Sequence, residues 1–225
     1  MSSLSTSLSG SIVATLKERI VSWQYPPEFR LTEEALCREF NVSRSPVREA
    51  LRVLATNGLV KRMPNRGYAV RQVNLREIEE IYEVRLALEL YAVEILASRD
   101  TPPKALAALR KTWESIRRTP ESFNGADMAE LDTKFHEALI SLIGNETLVK
   151  ELKAINERLF VFRMIDFGRA NRVESTCVQH LNVPKRIVAK DVDGARAAIR
   201  MNIEEARSIV HATLKDALAR AYALI

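Results

Sequence analysis

The stretch VSRSPVREALRVLATNGLV (residues 42–60), followed after Lys61-Arg62-Met63 by PNRGYAV (residues 64–70), contains a helix, its stop and a hairpin. Ser43 is placed to open a helix whose apolar side is Val47, Leu51 and Leu54, one stripe at helical spacing. Asn57-Gly58 ends it, because glycine tolerates the left-handed backbone of a helix stop. Residues 59–63, the turn Pro64-Asn65-Arg66-Gly67 and residues 68–71 then read as strand, turn, strand. Upstream, Thr32 with Glu33 and Glu34 supplies a cap and an acidic first turn for a helix whose apolar face is Ala35, Leu36 and Phe40. Before it, Ile12, Leu16, Ile20 and Trp23 predict a helix over about 11–23, stopped by Tyr25-Pro26-Pro27.

Two helices joined by the short Asn41-Val42 turn have the layout of a helix-turn-helix, whose second helix enters the DNA major groove. The exposed end of that second helix offers Ser43, Arg44, Ser45 and Arg48. Hydroxyls and helix-end amides suit phosphates, and arginine can be bidentate to guanine. At the hairpin tip, Arg66 would reach phosphate or the minor groove, and Gly67 would let backbone approach DNA. Charge agrees with this placement. The net charge is +5, and residues 1–73 carry 11 Lys and Arg against 6 Asp and Glu, while 74–225 carry 23 of each. A local basic excess releases counterions on meeting phosphates, although a solvated face without a partner would have the same composition.

From Asn74 onward the pattern is helical throughout. Asn74 with Glu77 forms a capping-box pattern ahead of Leu75, Ile78, Ile81, Leu88, Ile95 and Leu96. Thr101-Pro102 predicts a second start, with proline in the tolerated first position. Further helices are expected over 125–143, 146–168, 173–190 and 194–222, punctuated by Gly144-Asn145, Gly168 and Asp193-Gly194. Pro184 is expected to kink the helix that contains it. The expected fold is mainly α, a three-helix winged unit with a small β-hairpin joined to an all-α bundle. Its organisation is a flexible tail over 1–10, the winged unit over 11–73 and the helical domain over 74–225.

Composition narrows the class. Hydrophobic content of 47% with 28% charged residues describes a globular chain, and two cysteines suggest no disulfide framework. No apolar stretch approaches the roughly 20 residues of a membrane span, and the Ser-rich first ten residues lack the marks of a secretory signal. A cytoplasmic protein is expected.

The string from Val42 to Val60 with Pro64–Val70 closely resembles the winged helix-turn-helix of GntR-family regulators, over about residues 11–73. Trp23 and Glu28 stand where that family usually has loop glycines, and Glu34 where some relatives have a basic residue. The remainder resembles the FCD effector domain of one subfamily, through Tyr82-Glu83-Val84-Arg85 with Leu88-Glu89, and through Asp132-Thr133-Lys134-Phe135-His136 with Gly144-Asn145. The resemblance implies a dimeric regulator, by family habit a repressor, that binds a palindromic double-stranded operator and responds to a small carboxylic or sugar acid.

Asp132 and His136, four residues apart, share one helical face and could chelate a divalent ion, or could be an ordinary surface pair. The resemblance favours the metal and adds a ligand from each of two later helices. His180 fits the first, and the second falls on Asn202 in place of the family's histidine. Asparagine offers a neutral carbonyl oxygen, a poorer partner for zinc or nickel than imidazole. The site would then bind zinc, nickel or manganese weakly, prefer a harder ion, or be a purely organic pocket. Arg85 resembles the arginine facing the family's pocket and suits a carboxylate, but it could equally pair with Glu89 on its own helix. Arg163, among Phe160, Phe162 and Met164, is a second effector candidate. Cys177, one turn before His180, reads as a buried small hydrophobe, and His211 as a surface or interface residue.

Two other classes fit the residues less well. A metal-dependent hydrolase using Asp132, His136 and His180 lacks an accompanying nucleophile or base motif and leaves the winged unit unexplained. An architectural DNA-binding protein without effector leaves the metal-like group and Arg85 unexplained. The chain is therefore expected not to be an enzyme.

Overall fold

The computed structural model describes residues 8–21, 24–56, 58–64, 67–71, 75–169 and 171–223. The expectations for Trp23, Asn57, Asn65, Arg66 and Asn74 lie outside these residues. The chain divides into two compact units, one running to residue 74 and taking in the residues from 217 on, the other covering 75–216. Among the described residues no helix is long and apolar enough to cross a membrane.

The first unit is built from α1 (Leu8–Val21), β1 (Arg30–Leu31), α2 (Glu33–Phe40), α3 (Arg44–Thr56), β2 (Val60–Met63) and β3 (Gly67–Val70). The predicted apolar stripes form its core, with Ile12, Leu16 and Ile20 of α1 packed with Leu36, Val47, Leu51 and Leu54, all buried. Burying each such side chain contributes about 1.5–3 kcal/mol. Thr32 caps α2 as expected, its Oγ1 accepting the Ala35 N–H at 3.2 Å. Asn41 ends α2 in the left-handed conformation at φ 51, which makes the turn into α3 short.

Two expectations for this unit need correction. Residues 8–10 belong to α1 rather than to a tail, with Ser9 buried and Leu8 exposed. The hairpin β2–β3 has a third strand, β1, giving the order β1-β3-β2 with Arg30 opposite Ala69 and Val60 opposite Val70. Gly67 (φ +78) meets this strand so closely that a Cβ there would stand 2.7 Å from the Leu31 carbonyl oxygen. An internal contact therefore requires that glycine, whatever else approaches it.

The second unit is helical: α4 (Leu75–Ala97), α5 (Ala105–Arg118), a 3-10 turn at Pro120–Ser122, α6 (Gly125–Ser141), α7 (Glu146–Phe167), α8 (Arg172–Val188) and, as far as residue 216, α9 (Val192–Ala223). α5 starts later than expected, since Pro102 and Pro103 are consecutive and a residue before proline is driven out of the helical region. Asn124 and Asp127 form a reciprocal capping box at the start of α6. At its other end the Arg99 guanidinium donates to the carbonyls of Leu142 and Ile143 at 2.8 and 3.2 Å. Gly194 does not punctuate a boundary. It lies within the first turn of α9, its N–H donating to the Asp191 carboxylate at 2.9 Å. α8 runs on through Pro184, whose missing N–H leaves the His180 carbonyl without its helical donor.

Candidate functional site

In the first unit Ser43, Arg44, Ser45 and Arg48 are exposed around the N-terminal turns of α3. The sequence did not reveal the partner of Arg48. Its Nε donates to both carboxylate oxygens of Glu33, at 3.0 and 2.8 Å, so α2 steadies the arginine that points away from the core. Arg66 lies outside the described residues.

The second unit carries its polar chemistry inside. Asp132 and His136 on α6 and His180 on α8 are all buried, and each offers a ligand atom within 4.8 Å of the others. His136 receives its orientation from α4, where its Nδ1 is bonded to a Glu89 oxygen. A carboxylate at Nδ1 places the proton there and leaves Nε2 as a lone pair, and that Nε2 has no hydrogen-bond partner. His180 is held edge-on by Trp113 (ring centroids 4.1 Å, 90°) and stacked by Phe135 (3.8 Å, 12°). Both of its ring nitrogens lack a hydrogen-bond partner, although Nε2 stands 3.2 Å from Asp132 Oδ1. Burial pushes its pKa down to about 4, so the ring is neutral and able to ligate.

The surrounding charges are matched in pairs. Burial disfavours charge on Asp132, but His136, His180 and Arg163 outweigh it and hold the carboxyl well below its usual range. Arg163 on α7 stands with Nε 2.9 Å from Asp132 Oδ2, and its other nitrogens donate to Thr133 Oγ1 at 3.0 Å and Asn156 Oδ1 at 2.8 Å. Burial likewise opposes charge on Glu89, yet His136 and Arg85 bring its pKa down to about 2. Arg85 donates through Nε to Glu89 at 2.7 Å, and its Nη2 remains without a partner. The helix pair read as an alternative for Arg85 is thus present, while one edge of the guanidinium stays unused.

Asn202 on α9 is buried and donates through Nδ2 to Gln179 Oε1 at 2.8 Å. Gln179 in turn donates to Glu205, an acceptor-only carboxylate. That order fixes both amides and leaves Oδ1 as the uncommitted acceptor of Asn202. Arg172 links this chain to Asp166, donating through Nε to Asp166 Oδ2 at 2.7 Å and standing 3.3 Å from Glu205.

The donors present fit a divalent cation. Two imidazoles with unpartnered nitrogens and an ionised carboxylate, all buried, form a set of the kind that metals occupy. Cys177 is buried, with its thiol pushed up to about 11 by that burial. His211 is half-buried, its Nε2 3.9 Å from Glu79. Sequence reasoning missed Tyr82, Asp166, Arg172 and Thr176, all buried. Tyr82, Arg85 and Glu89 interrupt the apolar stripe of α4 at spacings of three and four, the one sequence signal that a polar interior exists.

Comparison with known proteins places these features. Residues 8–70 match the family model "Bacterial regulatory proteins, gntR family", and residues 80–205 match "FCD domain". The chain is 29% identical over 202 residues to the Nta operon transcriptional regulator of Aminobacter aminovorans, covering 90% of this chain and 94% of that one. It is 33% identical over 152 residues to the gluconate operon transcriptional repressor of Bacillus subtilis, covering 66% and 62%. Its fold is similar to that of Lar, described as controlling the Listeria monocytogenes agr system, with TM-score 0.69, 22% identity and coverage of 91% and 97%. These families and relatives are transcriptional regulators, not enzymes.

Proposed function

This chain belongs to the GntR family of bacterial transcriptional regulators and carries an FCD domain, and from that premise we propose that it is a ligand-responsive repressor. In this reading it acts in the cytoplasm as a homodimer on a palindromic operator. Residues 11–73 bind DNA and 74–225 bind effector and dimerise. Ser43, Arg44 and Ser45 hold phosphates at the end of α3, Arg48 reads base edges, and Arg66 and Gly67 form the wing contact. The exposure of the α3 residues and the basic balance of the first unit support this division.

The effector is a small carboxylic or sugar acid, taken up beside Arg85 and Arg163. A divalent ion (zinc, nickel or manganese) would be held by Asp132, His136 and His180, with Asn202 Oδ1 as the fourth donor. When bound it would supply a Lewis acid for the effector's carboxylate. The observation that carries the reading is the set of unpartnered ring nitrogens beside an ionised Asp132, inside a domain that has no nucleophile motif. Effector changes operator affinity only to the extent that it binds the operator-competent and incompetent states differently.

The test begins with selection of bound fragments from a random DNA pool by the full chain. A palindromic consensus is expected, with affinity that changes when metal and a carboxylate panel are added. Native mass spectrometry of the same sample reports stoichiometry. Monomeric binding to an asymmetric site, or an affinity indifferent to every metal and carboxylate, would overturn the reading.

A further inference from the structure

The effector domain matches its arginines with acceptors. On its surface Arg110, Arg186 and Arg200 pair with Glu114, Asp191 and Glu204 at 3.1, 2.8 and 3.1 Å. Inside, Arg85, Arg163 and Arg172 pair with Glu89, Asp132 and Asp166. Among the described residues of this domain Arg117 and Arg118 are the exceptions, adjacent in the last turn of α5 with no hydrogen bond or ion pair on either side chain.

Both line one groove between α5 and α8, of about 370 Å³, together with Leu181 and an equally unpaired Lys185. The carboxylate of the groove wall, Glu114, is already taken by Arg110. A second recess of about 310 Å³ shares Arg117, Leu181 and Lys185 and runs on to Val178 and to Met201 of α9, which are 54% and 51% exposed. Val178, Leu181 and Lys185 follow one another at spacings of three and four, so they form a stripe along α8, roughly 10 Å or two turns long. The helix dipole accounts for basic residues in a last turn. It does not account for three unmatched cations on one groove that continues into exposed aliphatic side chains.

We infer that this groove docks an acidic amphipathic helix of a partner protein, whose carboxylates meet Arg117, Arg118 and Lys185 while its apolar face covers Leu181, Val178 and Met201. A nucleic-acid backbone would match the cations but has no apolar surface for the aliphatic half. A small anion would stay largely in water, because the lining side chains other than Gln179 are exposed or half-buried and do not enclose it. A helix laid along two turns of α8 satisfies both halves, as in helix-in-groove recognition.

The test is selection of phage-displayed helical peptides of about 15 residues on the immobilised full chain, followed by fluorescence anisotropy of the enriched sequences. These are expected to carry aspartate or glutamate beside apolar residues at spacings of three and four. Arg117→Glu with Arg118→Glu should weaken their binding about tenfold or more. Lys185→Glu, on the opposite wall, and Met201→Ser should each weaken it to a smaller degree, with the melting temperature unchanged. No enrichment over an unrelated protein overturns the inference, as does enrichment of neutral or basic sequences, or equal binding to the charge-reversed variants. Displacement of the peptide by pyrophosphate or by duplex DNA at equal or lower concentration also overturns it, and assigns the cations to phosphate instead.

Discussion

Arg48 and Arg85 each hold a glutamate at hydrogen-bonding distance, 2.8 Å to Glu33 and 2.7 Å to Glu89, yet the two pairs are opposites in physical terms. The Arg48 side chain is 58% exposed on the DNA-binding unit, whereas that of Arg85 is 1% exposed inside the effector domain. Water screens the first pair, so its members can part cheaply when a phosphate or base edge competes. The second pair has lost its hydration, and each member depends on the other. Arg48 thus keeps a pairing that solvent can exchange, whereas Arg85 keeps one that the packing around it encloses.

The sharpest way to break that comparison is to remove the two glutamates. Glu89→Ala should destabilise the effector domain by about 3–5 kcal/mol in urea unfolding, because it strands a buried guanidinium and the Nδ1 of His136. Glu33→Ala should cost less than about 1 kcal/mol. Equal losses would mean that burial does not separate the pairs.

Metal addition comes next in size. An ion present at a hundred times its dissociation constant should stabilise the effector domain by about 2.7 kcal/mol, read as a rise in its melting temperature after chelator treatment. His136→Ala should erase the rise. No response to zinc, nickel or manganese in the wild type would remove Asp132, His136 and His180 from consideration as a cation site.

Arg48→Ala should weaken operator binding by about 1–3 kcal/mol while unfolding moves by less than about 1 kcal/mol. An unchanged operator affinity would displace the reading surface from α3. The smallest effect involves no free-energy change. At pH 8 a maleimide should label the half-exposed Cys37 and spare Cys177, whose buried thiol is pushed up to about 11. Prompt labelling of both would show that the interior of the effector domain opens readily.

How far the sequence reached differs between the units for the same reason. In the DNA-binding unit α2, α3 and the hairpin were legible because caps, apolar spacing and a glycine stop all act within a few residues. β1 was not, since a two-residue strand has no period and exists only through its pairing with β3. In the effector domain Asp132, His136 and His180 were reached through resemblance, while Asp166 and Arg172 went unnoticed. They sit six residues apart across a helix break, a spacing that no periodic pattern marks.

The sequence by itself determined the helices, their stops, the placement of the basic excess and the family. Those properties follow from short-range backbone preference and from composition, which need no knowledge of neighbours in space. Only the tertiary structure decided that Glu89 orients His136, that Asn202 is turned by Gln179, and that Asp166 keeps one oxygen unmet. Each of these depends on which groups from separate helices meet where water is excluded, because desolvation makes a pairing matter and is set by the whole packing around it.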